Sequence, residues 1–193
     1  HNSTMDADIV VVHCHTEVLP LETMAACATS QFPSQRVKLI HGCVEHPSRN
    51  HNHFVDAVKH NRGHARFLNV FNIYHLWSLV QYSKIFFMDA DTLLLGSPDK
   101  LFADTSALLG PGNGRTGCVK VEATEPCNTG AVLLYPSEQV YNTIMATLKR
   151  VEALNGFILS DQDFFRHFFA DCMVHMPRVY NFADVNHGTP VPG

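Results

Sequence analysis

The stretch that decides the fold is Lys84-Ile-Phe-Phe-Met-Asp-Ala-Asp91. Its apolar run, Ile85–Met88, is typical of a strand that is buried on both faces of a sheet. Two carboxylates follow at once, and such groups are costly to desolvate unless they are paired, hydrogen-bonded or bound to a cation. In extended backbone, residues i and i+2 project to one side, so Asp89 and Asp91 can converge on one ion. The pair predicts a Mg²⁺ or Mn²⁺ site at the carboxyl end of a strand. The alternative is a solvated turn whose aspartates cap the next segment.

Short apolar runs and helical patterns alternate on both sides of this strand, which predicts an α/β fold. A Gly-, Pro-, Asn- and His-rich region, 42–64, is predicted to be a surface loop around a short helix near Phe54–His60. The predicted strands are Asp8–Cys14, Arg36–His41, Lys84–Met88 and Gly130–Tyr135. Two helices are predicted by their extent, Leu21–Ser30 and a helix from Pro136 to about Leu154. A third is predicted by its apolar face, which consists of Ile73, Leu76, Trp77 and Val80. A fourth is capped by Ser160 and carries Phe164, Phe165, Phe168 and Phe169.

Length and composition fit one globular domain. The chain has 193 residues, of which 46% are hydrophobic and 17% charged, and this length is enough to bury a sizeable core. The formal net charge is −4 without a long basic block, so we expect no nucleic-acid partner. No apolar stretch approaches the roughly 20 residues of a spanning helix, so we expect no membrane span in this chain.

Other polar clusters have ordinary explanations when they are taken alone. Acids in the first turn of a helix stabilise its dipole, and polar residues before a strand form turns. Paired histidines at i and i+2 give only half of a metal site. The chain has no Walker or GxSxG motif, which excludes the common phosphate-loop and serine-hydrolase classes. The clusters are Asp6/Asp8, Asp161/Asp163, Asn128-Thr129-Gly130, His13/His15 and His51/His53.

The cysteines predict a reduced protein. Six cysteines are too few for a disulfide scaffold, and none forms a CxxC pair that would indicate structural zinc. We therefore expect free thiols in a cytosolic protein.

Several stretches resemble, in order, the glycogenin-like members of glycosyltransferase family 8. The resemblance covers roughly Asp8 to Phe182, and its blocks follow one another in the family's order and spacing. Those blocks are Phe71–Lys84 with Phe87–Leu93, Cys127–Ser137, Ser160–Phe165 with Phe168-Phe169, and Tyr180-Asn181.

This resemblance implies a GT-A (Rossmann-like) fold with a mixed central sheet flanked by helices. Residues 1–193 would be a single catalytic domain, shortened at both ends relative to the family. The implied reaction is retaining transfer of a sugar from a UDP-sugar donor to a glycan or glycoprotein acceptor, with Mn²⁺ or Mg²⁺ as cofactor, and the resemblance allows a homodimer. The compartment implied is the cytoplasm or, alternatively, the Golgi lumen.

The resemblance also assigns site residues, and it replaces the helix-dipole interpretation of Asp161. The metal would be held by Asp89 and Asp91. The donor would contact Asp89, Ala90, Asp91, Asn128, Thr129 and Gly130, and the anomeric carbon would lie by the catalytic residues Asp161 and Gln162.

Two departures from the family leave a second function open. Ile73 stands where the family has a lysine that serves the donor site, and the late His-x-x-Gly-x-x-Lys block is absent. The alternative is a catalytically impaired GT-A module that binds a nucleotide, glycan or protein partner.

Overall fold

The computed structural model describes residues 8–13, 37–48, 70–89, 92, 99–103, 116–119, 127–154, 158 and 160–177. Within these ranges the chain is α/β, as the sequence predicts, but strands and helices do not strictly alternate, because two strands precede the first helix. The strands are β1 (Ile9–His13), β2 (Val37–His41), β3 (Ile85–Met88), β4 (Thr116–Val119), β5 (Asn128–Leu134) and β6 (Met173–Met176). The helices with bounds at both ends are a 3₁₀-helix, η1 (Val70–Ser78), and two α-helices, α1 (Glu138–Ala153) and α2 (Asp161–Phe168). Residues 99–103 are also helical.

Four of the strands form a mixed sheet in the order β3-β5-β4-β6. β5 is antiparallel to both β3 and β4, whereas β4 and β6 are parallel. The carboxyl ends of β3, β4 and β6 therefore meet the amino end of β5 at one edge, here called the site edge. Near this edge the register of β4 shifts between Cys118 and Val119, and Val119 pairs with Asn128.

The other two strands, β1 and β2, form a parallel pair with Ile9 opposite Val37. A polar network links this pair to the turn that follows η1. The Lys38 ammonium pairs with the Asp8 carboxylate, and the Tyr82 hydroxyl donates to the same carboxylate at 3.1 Å. Hydrogen bonding to Asp8 raises the pKa of Lys38, which is consistent with a paired ammonium.

Aromatic side chains from η1 and α2 dominate the core. Trp77 is fully buried and stacks on Tyr74 on one side and on Phe169 on the other, with ring centroids 6.0 and 5.1 Å apart. Such pairs add about 0.5–1.5 kcal/mol beyond the area that they bury. The apolar face predicted for this helix is confirmed at Ile73, Leu76 and Trp77. It is wrong at Val80, which is 57% exposed because η1 ends at Ser78 and the chain turns there.

α1 begins where the sequence predicts and packs on η1. The Ser137 hydroxyl accepts from the backbone N–H of Val140 at 3.4 Å and so caps the helix. Ile144 and Leu148 form its buried face. Of the helices in the described part of the chain, none combines the length and the apolar character needed to cross a bilayer.

Some predictions are corrected, and others fall outside the described residues. The sequence analysis did not predict β4 or β6, because both are only four residues long and carry little alternation. Residues 42–48 were expected to be a surface loop, yet Val44, His46 and Ser48 are all buried. The predicted helices at Leu21–Ser30 and near Phe54–His60 lie outside the described residues.

Two cysteines also differ from expectation. Cys43 and Cys127 are each disulfide-bonded, so the prediction of reduced thiols is wrong for both. Cys172 is not disulfide-bonded. Spacing alone did not indicate these bonds, because disulfides join residues that only the fold brings together.

Candidate functional site

Asp89 leaves the sheet at the site edge, directly after β3. Its backbone N–H donates to the Gly130 carbonyl at 2.9 Å, and its own carbonyl accepts from Thr92 N–H at 3.0 Å. The first bond extends the β3–β5 ladder by one residue, and the second closes a turn. Asp89 is exposed, as a ligand for a soluble ion or substrate must be. Ala90 and Asp91, the other two residues of this predicted site, lie outside the described residues.

The start of β5 supplies the second part of the site. The Asn128 side-chain carbonyl accepts from Gly130 N–H at 2.8 Å, which fixes the backbone where the strand begins. Thr129 is buried, with only 3% of its surface exposed. Successive side chains of a strand point to opposite faces, so Asn128 and Thr129 serve different sides of the sheet.

Asp161 supplies the third part, at the first residue of α2. Ser160 caps this helix: its hydroxyl accepts from Asp163 N–H at 3.2 Å and donates to the Asp163 carboxylate at 3.0 Å. The Thr129 hydroxyl, Gln162 N–H and the N–H of Asp161 itself each lower the pKa of the Asp161 carboxyl, because they favour its charged form. These three donors and the helix dipole hold an anion at the helix N-terminus.

The burial of Asp161 changes its titration. Only 8% of the residue is exposed, and this desolvation raises the pKa of the carboxyl above its ordinary value of 3.8. The hydrogen bonds from Thr129 and from the two backbone N–H groups oppose the shift, and the Asp163 charge adds to it. A desolvated carboxylate interacts more strongly with nearby charge than an exposed one, so Asp161 suits the stabilisation of a positive centre.

Tyr74 of η1 holds the same residue from the other side. Its hydroxyl donates to the backbone carbonyl of Asp161 at 2.7 Å, although the two residues are 87 positions apart. Burial raises the pKa of Tyr74 well above its ordinary value of 10.0, and Asp161 and Asp163 raise it further. The phenol therefore remains a protonated donor throughout the physiological range.

The buried loop after β2 fixes the segment that precedes α2. Val44 N–H donates to the side chain of Asn72 in η1 at 2.9 Å. The Ser48 hydroxyl then accepts from Ile158 N–H at 2.8 Å. The carboxyl end of β2 is thus tied both to η1 and to the chain entering the Asp161 region.

The structure joins several of the predicted site residues. Asp89 bonds to Gly130, Asn128 bonds to Gly130, and the Thr129 hydroxyl lowers the pKa of Asp161 by favouring its charged form. The half-buried Gln162 follows Asp161 and donates its N–H to that carboxylate. The sequence analysis missed Tyr74 because a tyrosine within an apolar helical pattern is indistinguishable from a core residue.

The donor chemistry of this edge suits a hard divalent cation, which prefers carboxylate oxygens. Asp89 is an exposed carboxylate at the strand end where the pair was predicted. Within the ranges that the structure describes, no three His, Cys, Asp or Glu side chains are grouped so as to hold a metal ion. A divalent cation at this edge would therefore need Asp89 together with ligands from residues outside those ranges.

Comparison with known proteins gives the sequence relatives. No protein-family model matches the chain. Over 117 residues it is 32% identical to glycogenin-1 of Oryctolagus cuniculus, covering 58% of this chain and 32% of that protein. It is 29% identical over 114 residues to glycogenin-2 of Homo sapiens, covering 56% of this chain and 21% of that protein. It is 24% identical over 107 residues to inositol phosphorylceramide glucuronosyltransferase 1 of Arabidopsis thaliana, covering 55% of this chain and 18% of that protein. The chain spans about a third or less of the length of these relatives.

Solved structures establish the fold. The apo form of the glycosyltransferase GlyE of Streptococcus pneumoniae TIGR4 superposes with a TM-score of 0.52 at 14% identity, covering 91% of this chain and 46% of that chain. A second structure of GlyE gives a TM-score of 0.51 at 16% identity. The mixed sheet flanked by helices is thus a glycosyltransferase fold, consistent with GT-A, and the expected fold class is confirmed. With the sequence relatives, the chain is glycogenin-like.

Proposed function

We propose that this chain forms the donor-binding and catalytic region of a retaining glycosyltransferase. The donor is a UDP-sugar, the cofactor is Mn²⁺ or Mg²⁺, and the acceptor is a glycan or glycoprotein. The observation that carries the proposal is the convergence of three sequence blocks at the site edge. The Asp89 backbone bonds to Gly130, and α2, which begins at Asp161, packs against β5. The hydroxyl of Thr129, the neighbour of Gly130, favours the charged form of the Asp161 carboxyl and so lowers its pKa.

Each block has a separate task in the proposed reaction. A divalent ion held by Asp89 and Asp91 would supply positive charge next to the diphosphate of the donor. Asn128 and Gly130 would line the donor-sugar pocket. In that pocket the Asn128 amide nitrogen is the natural contact for a sugar hydroxyl, because the side-chain carbonyl already accepts from Gly130 N–H.

Asp161 and Gln162 would act at the anomeric carbon. That carbon gains positive charge as its bond to the diphosphate breaks, and the Asp161 carboxylate is a fixed negative charge in a poorly solvated position. A preorganised charge in such surroundings needs no reorganisation during the reaction, and this is the largest source of catalysis in many enzymes.

The first test is calorimetric titration of UDP into the chain, with Mn²⁺ and then with EDTA. We expect binding in Mn²⁺ only, because a metal held by Asp89 and Asp91 would supply the positive charge that the diphosphate needs. Asp89→Ala and Asp91→Ala should each lower this affinity at least tenfold, since each removes a charged ligand. Asp171→Ala is the matched control, because it removes an exposed carboxylate in the turn between α2 and β6.

Three results would contradict the proposal: UDP affinity that is equal in Mn²⁺ and EDTA, affinity that survives both site substitutions, or an equal loss in the Asp171 control. A chain that binds UDP should then be screened for hydrolysis of UDP-sugars, with sugar release measured against UDP release.

One observation favours the second candidate, a binding module without turnover. Ile73 replaces the family's lysine and is 5% exposed within the aromatic core, so it cannot carry charge into the donor site. Metal-dependent UDP binding without hydrolysis of any UDP-sugar would support this candidate. If Ile73→Lys then gained hydrolysis, the missing charge would be identified as the cause.

For localisation we propose the Golgi lumen, the alternative to the cytoplasm. Disulfides persist in oxidising compartments and are rare in the cytosol. The bonds at Cys43 and Cys127 support the lumen, and their test is given in the Discussion.

A further inference from the structure

We infer that Ser48, in the buried loop after β2, is a positioning residue for Asp161 and Gln162. The loop, residues 42–48, is fixed on η1, and Ser48 carries that fixed position to the chain that enters α2. The inference rests on the proposed function for its consequences in catalysis. Its structural content, that the 42–48 loop holds the chain before α2, can be tested without any activity.

The 42–48 loop is built into the interior of the protein. Val44, His46 and Ser48 are 7%, 2% and 1% exposed, whereas Cys43 and Glu45 between them are exposed. Two of the three inward side chains are polar, and polar groups are buried at low cost only where they are hydrogen-bonded. The loop is therefore held by specific polar contacts as well as by apolar packing.

Two contacts fix the 42–48 loop on η1. Val44 N–H donates to the Asn72 side-chain carbonyl at 2.9 Å, and the His46 ring packs edge-on against Phe71 with centroids 4.6 Å apart. Within the loop, His46 Nδ1 accepts from Ser48 N–H at 3.0 Å. The backbone of Ser48 is thus oriented by a ring that itself rests on η1.

Ser48 joins this loop to the chain that enters α2. Its hydroxyl accepts from Ile158 N–H at 2.8 Å, although the two residues are 110 positions apart. Ile158 is half-buried and packs against the aromatic core. It lies shortly before Ser160, the cap of α2, and Asp161, the first residue of that helix. The place of the first turn of α2 therefore depends on Ser48.

The position of Ser48 separates it from the donor. With 1% of its surface exposed, Ser48 has almost no surface with which to contact a substrate. The residues proposed to bind the donor lie on other segments, at the end of β3 and at the start of β5. Loss of the Ser48 hydroxyl should therefore change the rate of the reaction more than the affinity for the donor.

The test compares Ser48→Ala, which removes the hydroxyl, with Ser48→Thr, which keeps it. In the full chain with Mn²⁺, Ser48→Ala should lower kcat for UDP-sugar hydrolysis about tenfold, the effect of one hydrogen bond. KM for the donor should stay within about twofold of the parent. Ser48→Thr should recover most of kcat.

Thr116→Val is the matched control. Thr116 is fully buried, and its hydroxyl donates to the Leu133 carbonyl at 3.1 Å. It begins β4, at the end of the sheet opposite the site edge. Because this variant also loses one buried hydroxyl, it should share the loss of stability and keep the kcat and KM of the parent.

A second pair of variants tests the other end of the 42–48 loop. Asn72→Leu removes the acceptor for Val44 N–H, and Asn72→Asp keeps an acceptor oxygen. We expect a lower kcat in Asn72→Leu and recovery in Asn72→Asp, even if Ser48→Ala does not fold. Thermal unfolding of every variant shows which are folded at the assay temperature.

A readout that needs no activity is amide hydrogen exchange of Ile158 by NMR. Ser48→Ala should speed this exchange about tenfold, because the N–H loses its acceptor, and Ser48→Thr should restore the parent rate. Thr116→Val should leave the Ile158 rate unchanged. Exchange of the β5 amides measures global opening, so a local change at Ile158 can be separated from it.

The outcomes separate the two proposals. An unchanged Ile158 exchange rate in Ser48→Ala, a higher KM with unchanged kcat, or an equal loss of kcat in Thr116→Val would each overturn the positioning role. A parent chain that hydrolyses no UDP-sugar would count against the proposed function alone. Hydrogen exchange would still decide whether the 42–48 loop holds the chain before α2.

Discussion

At the scale of single residues, Asp161 combines a structural cost with a proposed catalytic use. Its carboxyl is buried, and its remaining hydrogen bonds do not fully replace water, so its pKa is raised. A group with a folded-state pKa above its unfolded value contributes stability at low pH that is lost as the pH rises through the folded-state pKa. The charged form of Asp161 is therefore less well accommodated in the fold than the neutral form.

Asp161→Asn should consequently raise the midpoint of thermal unfolding at pH 7 while abolishing sugar transfer. The gain should shrink as the pH falls through the pKa of Asp161, because the parent side chain then also becomes neutral. Unfolding scans of parent and variant at pH 7 and at pH 4 measure the difference. Asp171→Asn, at an exposed site, should show no such gain. A less stable Asp161→Asn at pH 7 would mean that the hydrogen bonds outweigh the desolvation.

At the scale of elements, the N-terminus of α2 is where stability and function meet. Both α-helices begin with a serine cap, Ser137 for α1 and Ser160 for α2. The two caps have similar geometry, but only Ser160 is adjacent to Asp161. They therefore form a matched pair, in which one substitution affects a helix alone and the other affects a helix and the site.

Ser137→Ala and Ser160→Ala should each lower the free energy of unfolding by about 1 kcal/mol, the usual cost of a lost cap. Only Ser160→Ala should also lower kcat, because fraying of the first turn of α2 displaces Asp161 and Gln162. Urea unfolding and steady-state kinetics of the two variants check this. Equal kinetics in both variants would show that the cap has no part in the site.

At the scale of the whole molecule, the segments around the site are joined by contacts between distant parts of the chain. The loop after β2 approaches η1 so closely that a Cβ on Gly42 would overlap the His75 ring. Next to it, Cys43 is disulfide-bonded, and so is Cys127, which directly precedes β5. Disulfide bonds therefore lie next to the loop that contacts η1 and next to the start of β5.

Alkylation of the unfolded, unreduced protein followed by mass spectrometry should label Cys172 and leave Cys43 and Cys127 unlabelled. Cys172, which is not disulfide-bonded, serves as the internal positive control. Reduction should lower the free energy of unfolding by about 2–5 kcal/mol, the usual cost of removing a native disulfide. Quantitative labelling of Cys43 and Cys127 in protein made in an oxidising compartment would contradict the bonds and the proposed luminal location.

The sequence by itself determined the features that depend on neighbouring residues. The apolar run before Asp89 predicted β3, Ser137 and Ser160 predicted the helix starts, and the period of η1 predicted its buried face. These follow from local periodicity and capping chemistry, which act over a few positions.

Only the tertiary structure decided the contacts over long separations. Tyr74 bonds to Asp161 across 87 positions and Ser48 to Ile158 across 110. The short β4 forms because β5 offers it a ladder, and β6 forms because β4 offers one in turn. The disulfides form because the fold brings cysteines together. No local pattern encodes these pairings, since each residue fits the pattern of its own helix, strand or loop and meets its distant partner only when the chain is packed.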